Sequence, residues 1–263
     1  MFKNVMAYRI GPNWNATVPE IETAFSANRF IECTPGQDKS VGWTEPRGVD
    51  NGPLMESVGG QWIAKLLIET KAVPSSVVKR KDRLLAIDAA STGKADEVIT
   101  QLVRALPGLD LNLLQTATSP QTGMAAWLLA TDTDDLPRSL SIEKECILKS
   151  GAEDQPMVKY TRHTLSTEEV RKHVREGKLP TQLALSWEGK ASFVLTESLQ
   201  LKKVAFLDGT QADAGNTEGE DKFDADVVLS TGMLGPLLKD VMEALGGENV
   251  FAESASKEEG PPF

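Results

Sequence analysis

Residues 183–195 read LALSWEGKASFVL, and this stretch gives the strongest indication of the fold class. Apolar residues alternate with small or polar ones from Leu183 to Trp187, and again from Ala191 to Leu195. Alternation with a period of two is typical of strands that bury one face, and the Glu188-Gly189 pair between the runs favours a tight turn. The stretch therefore predicts a β-hairpin whose strands join an antiparallel sheet.

Helical periodicity surrounds this hairpin. We predict helices at 18–27 behind a Thr17 cap, at 92–106 behind Ser91 or Thr92, at 125–130, between a capping box at 166–169 and Gly177, and at 231–245. Further strands are predicted at 3–10, 30–33, 61–70, 84–90, 109–114, 140–150, 200–207 and 227–230. The apolar face predicted for the second helix comprises Val98, Ile99, Leu102, Val103 and Leu106. The mixture predicts an α+β fold with mixed or antiparallel sheets and packed helices.

The polar stretch 116–123, which contains Ser119-Pro120, is typical of a boundary between domains. We predict one α+β domain over 1–118, a second over 119–247, and a disordered acidic tail over 248–263, where apolar periodicity ends.

Acidic residues are concentrated in two places. The formal net charge is −10, which at first argues against a nucleic-acid partner. Seven acids against one base lie in a predicted loop and its continuation at 208–226, and four acids against one base lie at 248–263, so the rest of the chain carries a net charge of −1. Because salt screens charges beyond about 10 Å, a basic face on the body is compatible with this composition.

Apolar runs and cysteines disfavour membrane and secreted classes. No apolar run approaches the roughly 20 residues that a membrane helix needs, and residues 1–10 lack the apolar core of a signal peptide. Cys33 and Cys146 form no CxxC pair, which favours reduced thiols over a disulfide or a metal site. We expect a cytoplasmic protein.

An ordered set of strings resembles the bacterial recombination-associated RdgC family. These are FKNVMAYR at 2–9, VGW at 41–43, PSSVVK at 74–79, CILK at 146–149, LSTEE at 165–169, LALSW at 183–187, FDAD at 223–226 and LGGE at 245–248. The resemblance covers most of residues 2–248. It implies a non-enzymatic, nucleoid-associated protein that binds double-stranded DNA with little sequence preference. It also implies a ring-shaped homodimer around DNA that antagonises filaments of the recombinase RecA.

The sequence departs from the family at one point. The family carries a long charged helical segment after the position of Val77-Val78-Lys79, and this segment leads to a tip domain that helps to close the ring. Here residues 80–83 lead directly to Leu84, so the tip is absent. We expect an open arch, or a dimer formed through another surface, and a phage or a mobile element as a fitting source.

Two basic clusters are candidates for the phosphate contacts that supply most non-specific affinity. The first contains Lys65, Lys71, Lys79, Arg80, Lys81 and Arg83, of which the last four are the candidate contacts. The second contains Lys159, Arg162, His163, Arg171, Lys172, Arg175 and Lys178. The resemblance implies that Arg162, His163 and Lys178 face DNA, with His163 in place of a family glutamine. The alternative is an ordinary solvated helix whose bases are offset by Glu168, Glu169 and Glu176.

Motifs for catalysis are incomplete. Ser91-Thr92-Gly93-Lys94 lacks the earlier glycine and the following Ser or Thr of a phosphate-binding loop, so a helix cap is the better interpretation. His163 and His173 have no cysteine nearby for zinc, and Asp224 with Asp226 lacks a third ligand for a nuclease metal. We expect no catalytic site, no metal and no cofactor.

Two alternatives to DNA binding stay open. The acidic composition also suits a protein–protein inhibitor that mimics DNA and blocks a recombinase or a recombination nuclease. The other alternative is an inert architectural remnant with no affinity for DNA. Of the tryptophans, Trp62 and Trp187 are predicted in the core, and stacking of single-stranded bases on Trp43 has no positive support.

Overall fold

The structure is a computed structural model that describes residues 2–33, 37, 39–69, 77–78, 83–132, 135–151, 156–207 and 220–249. The basic residues Lys79, Arg80 and Lys81, most of the acidic loop predicted at 208–222, and residues 250–263 of the predicted tail lie outside these ranges.

Within these ranges the chain alternates strands and helices. The strands are β1 (Val5–Ile10), β2 (Ser40–Thr44), β3 (Met55–Val58), β4 (Gln61–Glu69), β5 (Val77–Val78), β6 (Leu84–Asp88), β7 (Leu111–Leu113), β8 (Leu140–Ser150), β9 (Met157–Thr161), β10 (Lys178–Trp187), β11 (Ala191–Thr196) and β12 (Leu201–Phe206). The helices are α1 (Val18–Ser26), α2 (Thr92–Ala105), α3 (Pro120–Leu129), α4 (Glu168–Arg175) and α5 (Glu220–Ala244).

The described strands follow the order β2-β4-β5-β6-β1-β12-β11-β10-β8-β9, with β3 beside β4 and β7 beside β1. Every pairing between these strands is antiparallel. The predicted hairpin joins β10 to β11, and its turn residues Glu188 and Gly189 both have positive φ, at 47° and 65°. This is the backbone that a two-residue hairpin turn requires. The predicted α+β class is confirmed.

Strand β1 is buried on both faces and divides the core in two. Val5 and Ala7 pack into one hydrophobic cluster with residues of α3, α4 and α5. Met6, Tyr8 and Ile10 pack into a second cluster with residues of α1, α2 and β4. Because strand residues alternate between faces, the two clusters lie on opposite sides of the same strand. The predicted boundary between 118 and 119 stays a prediction.

Helix α1 starts as predicted, whereas helix α3 starts five residues earlier than predicted. Thr17 caps α1 in a capping box with Glu20, whose carboxylate accepts the Thr17 backbone N–H at 2.7 Å. Helix α3 begins at Pro120 and not at Ala125, because the Ser119 side chain accepts the Thr122 backbone N–H at 3.1 Å. The Ser-Pro pair is therefore a helix start with proline in the first turn.

The strand predicted at 227–230 is wrong, because these residues lie inside α5. The hydroxyls of Ser230 and Thr231 are satisfied within the helix, and Thr231 donates to the Val227 carbonyl at 2.7 Å. The expected apolar face of this helix is buried, as shown by Leu234, Leu237, Leu238, Val241, Met242 and Leu245.

The strand predicted at 30–33 is also wrong. A single parallel bridge between Arg29 and Trp43 precedes this segment, and residues 30–33 form no strand. Gly42 allows the close approach, because a Cβ at that position would lie 2.4 Å from the Phe30 Cα. Strand β9 forms in a segment for which we predicted no element, and it lies at the edge of the sheet beside β8.

Candidate nucleic-acid interface

The five strands β12-β11-β10-β8-β9 have one covered face and one face that carries bases. Leu148, Tyr160 and Leu183 point into the cluster covered by α3, α4 and α5. We call this the core face. The residues that alternate with these form the outer face, which includes Glu145, Lys149, Lys159, Ala184, Ser192, Val194 and Lys202.

Lys159 lies on the outer face by strand alternation. Its neighbours Val158 and Tyr160 both pack on the core, so the Lys159 side chain points the opposite way and is exposed. It pairs with Ile147 on β8, and Lys149 two residues further along pairs with Met157. Paired residues share a face, so Lys149 and Lys159 lie on the same side of the sheet.

A groove of about 380 Å³ crosses the outer face. Its lining comprises Glu143, Lys144, Glu145, Arg162, Ala184, Leu185, Ser192, Phe193, Val194 and Lys203. Three of these residues are bases. The side chains of Ala184 and Ser192 are small, so they leave space in the groove. The Lys203 ammonium lies 2.9 Å from the Glu145 carboxylate. The groove therefore combines apolar and charged side chains, and its charge is partly neutralised.

The bases of α4 lie on the other side of the sheet. Val170 and Val174 pack helix α4 against the core face. Lys178 lies on the same side of the sheet, because its ammonium donates to Nδ1 of His173, a residue of α4, at 2.8 Å. Thr167 caps the helix by accepting the Val170 N–H, so position N3 is Val170 and the predicted capping box with Glu169 does not form. The Glu169 carboxylate instead accepts the Tyr160 hydroxyl at 3.2 Å.

Carboxylates neutralise most of these α4 bases. Glu168 pairs with Arg175 and lies 3.7 Å from Arg171, and the hydrogen bond from Arg175 holds the pKa of Glu168 below its usual range. Glu176 lies 3.9 Å from Lys172 and 3.8 Å from Lys178. The Arg171 Nη2 donates to the Ala130 carbonyl at 3.1 Å, so this side chain also holds α3 to α4.

The second predicted cluster is thus divided by the sheet. Lys159 and Arg162 lie on the outer face, whereas Arg171, Lys172, Arg175 and Lys178 lie with α4. His163 is half-buried, and its ring centroid lies 5.2 Å from that of Tyr160. The outer-face bases Lys144, Lys149, Lys202 and Lys203 were not among the DNA contacts predicted from the sequence. Alternation in the predicted strands at 140–150 and 200–207 carried a signal for Lys149 and Lys202.

Arg83 is one of two described members of the first cluster, the other being Lys65 in β4, and it has a structural role. Its guanidinium donates to the carbonyls of Ile10, Gly11 and Trp14, with distances of 3.2 Å to Ile10 and 3.0 Å to Trp14. These bonds hold the loop between β1 and α1, so the Arg83 guanidinium is engaged by backbone carbonyls of its own chain.

Comparison with known proteins identifies the family. The family model described as "Putative exonuclease, RdgC" matches residues 1–82 and 78–248. A recombination-associated protein RdgC of Dechloromonas aromatica is 33% identical over 307 residues, covering 96% of this chain and 99% of the relative. Those of Cupriavidus pinatubonensis and Herminiimonas arsenicoxydans are 35% and 33% identical, each covering 94% of this chain and 98% of the relative. The chain belongs to the RdgC family.

The match of this chain to the RdgC family model falls into two stretches. The two matched stretches meet at 78–82, and the alignment of 307 residues exceeds the 263 residues of the chain. Strands β5 and β6 pair directly at Val78↔Leu85. The link between them, residues 79–82, falls where we expected the family's longer segment to be missing.

Features considered for other chemistry have structural roles in this RdgC chain. Asp224 lies in α5, where its carboxylate is 2.5 Å from the Arg47 guanidinium. Trp43 is 1% exposed and stacks on Phe25 at 3.9 Å, so it offers no platform for a base. In the described ranges, no group of three or more His, Cys, Asp or Glu is arranged to hold a metal. Among the helices described, none has the length and apolar character to cross a membrane.

Proposed function

We propose that the chain binds double-stranded DNA without sequence preference through the outer face, and that it acts in homologous recombination by occupying the duplex. Bound protein would exclude a recombinase or a nuclease sterically. The observation that carries the proposal is the charge of this face, where, among the residues that the structure describes, six bases outnumber Glu143 and Glu145. The bases are Lys144, Lys149, Lys159, Arg162, Lys202 and Lys203. The printed names of the relatives support the link to recombination.

Contacts to phosphate explain how the protein can bind DNA without recognising its base sequence. Lysine and arginine that neutralise phosphates release condensed counterions, and this term is independent of sequence. The outer face carries small side chains, such as Ala184 and Ser192, beside its bases, so a duplex backbone can approach the sheet closely. The homodimer and a recombinase or nuclease partner stay predictions from the family resemblance.

A salt titration with two matched variants tests the surface. We expect wild-type affinity for duplex DNA to fall steeply as salt rises from about 50 to 200 mM. Lys159→Glu with Arg162→Glu should weaken binding at least tenfold and lower the salt slope by about two, since each phosphate contact contributes about 0.9. Lys172→Glu with Arg175→Glu changes the net charge equally on α4, and we expect near wild-type binding.

Three outcomes would contradict the proposal. These are a flat salt response, equal losses in both variants, and a loss confined to the α4 variant, which would move the surface to that helix. Absence of duplex binding at low salt would favour the acidic DNA-mimic inhibitor instead. An end-labelled duplex that stays intact with Mg²⁺ would support binding without cleavage, and shortening of the duplex would establish an exonuclease.

A further inference from the structure

Two bases of the groove share an unusual backbone conformation. Arg162 has φ of 55° and Lys203 has φ of 52°. Residues other than glycine seldom adopt positive φ, and such residues concentrate at functional sites because the surrounding structure must hold them there. Two of the described non-glycine residues with positive φ thus line a single groove.

Strand irregularities also converge on this groove. The β8–β10 pairing shifts register between Leu183 and Leu185, opposite residues 143–145, and the β11–β12 pairing shifts between Ser192 and Val194. Bulges bend a strand and change the direction of a side chain, and they are common beside functional sites. The bulges therefore lie in the strands that line the groove, where they redirect side chains.

The ion pair between Lys203 and Glu145 crosses two intervening strands. In the sheet order β12 and β8 are separated by β11 and β10. Strands lie about 4.8 Å apart, so a flat sheet would place β12 and β8 roughly 14 Å apart. The two long side chains reach across this gap to a 2.9 Å contact and stay well exposed, at 70% for Lys203 and 43% for Glu145.

We infer that this groove binds one backbone phosphate of the duplex, and that Glu145 occupies the phosphate position until DNA displaces it from Lys203. The inference rests on the proposed function. A carboxylate and a phosphodiester are both anionic acceptors for an ammonium group, so they compete for Lys203. Arg162 has no ion-pair partner among the residues the structure describes, and it supplies the second cation of the site.

Glu145 therefore acts as an internal competitor that weakens DNA binding. An exposed ion pair is weak, so a phosphate can replace the carboxylate at little cost. The remaining Glu145 charge still repels the bound backbone, since it lies within one screening length of the phosphate. This arrangement limits how tightly the protein holds DNA to which it binds without sequence preference.

Glu145→Gln tests the inference, with Glu188→Gln as its control. Glu188 is also 43% exposed and pairs with Lys190 at 2.5 Å, and it does not line the groove. We expect E145Q to tighten duplex binding by about threefold or more at moderate salt and to steepen the salt slope by up to about one. E188Q makes the same charge change and should leave binding within about twofold of wild type.

A double-mutant cycle with Lys203→Gln checks the specific pair. In the wild type, loss of Lys203 removes a phosphate contact but also the competing ion pair. In the E145Q background only the phosphate contact is lost, so K203Q should weaken binding more there than in the wild type. Melting curves for each variant verify that these exposed changes leave the fold intact.

The outcomes separate this inference from the proposed function. Wild-type binding with unchanged or weaker binding by E145Q would overturn the role of Glu145 and leave DNA binding standing. If E188Q tightened duplex binding as much as E145Q, the effect would come from net charge alone, and the role of Glu145 would be overturned. If neither wild type nor E145Q binds duplex at low salt, both proposals fail.

Discussion

Burial distinguishes the two cysteines of the chain, although their local sequences do not. Cys146 is 2% exposed on the core face of β8, and burial raises the pKa of its thiol to about 12. Cys33 is partly exposed. Because the thiolate is the reactive form, we expect a thiol reagent at about pH 8 to modify Cys33 alone in the native protein. Both thiols should react in denaturant, and Cys33→Ser should show no native reaction. Rapid native labelling of Cys146 would contradict its burial.

The candidate site was predictable from sequence only in part. Lys159 and Arg162 belong to the second predicted cluster, and both are found on the outer face. Lys203 and Glu145 were not predictable, because their contact depends on the order of the strands in the sheet, which no local pattern encodes. The division of the second cluster between two faces was likewise hidden, since Lys178 begins a strand whose register is set by tertiary pairing.

Helix α2 offers a test of burial within one element. Leu102 is 2% exposed, whereas its neighbour Val103, which we predicted on the same apolar face, is 47% exposed. We expect Leu102→Ala to lower the free energy of unfolding by about 2–5 kcal/mol, because it leaves a cavity. Val103→Ala should change it by less than about 0.5 kcal/mol. Urea denaturation measures both, and equal losses would contradict the orientation of the helix.

Elements with strong periodicity were predictable, and elements set by tertiary packing were not. The predicted strand at 140–150 and the hairpin formed by β10 and β11 are confirmed. Val227-Val228-Leu229 favours a strand locally, but continuity with the buried helical face of α5 overrides that preference. Strand β9 has an exposed Met157 and gains its structure from pairing with β8, so its own sequence gave little signal.

At the scale of the whole molecule, β1 couples the two halves of the chain. Its two faces belong to different hydrophobic clusters, so neither cluster can be lost without exposing the strand. We expect a single unfolding transition, with equal calorimetric and van't Hoff enthalpies. Leu102→Ala in one cluster and Leu237→Ala in the other should each lower that single midpoint. Two separate transitions, with each variant shifting only one, would instead show that the predicted domains 1–118 and 119–247 unfold independently.

The direct pairing of β5 with β6 bears on how chains of this kind vary in length. Val78 pairs with Leu85, so the chain leaves and re-enters the sheet at neighbouring points. An arm of any size spliced between them leaves the ladder of hydrogen bonds untouched, and each doubling of its length costs only about 0.6 kcal/mol of closure entropy. We therefore expect a segment inserted here in a relative to leave the shared body unchanged, and a foreign module grafted at this point to be held by the same two strands.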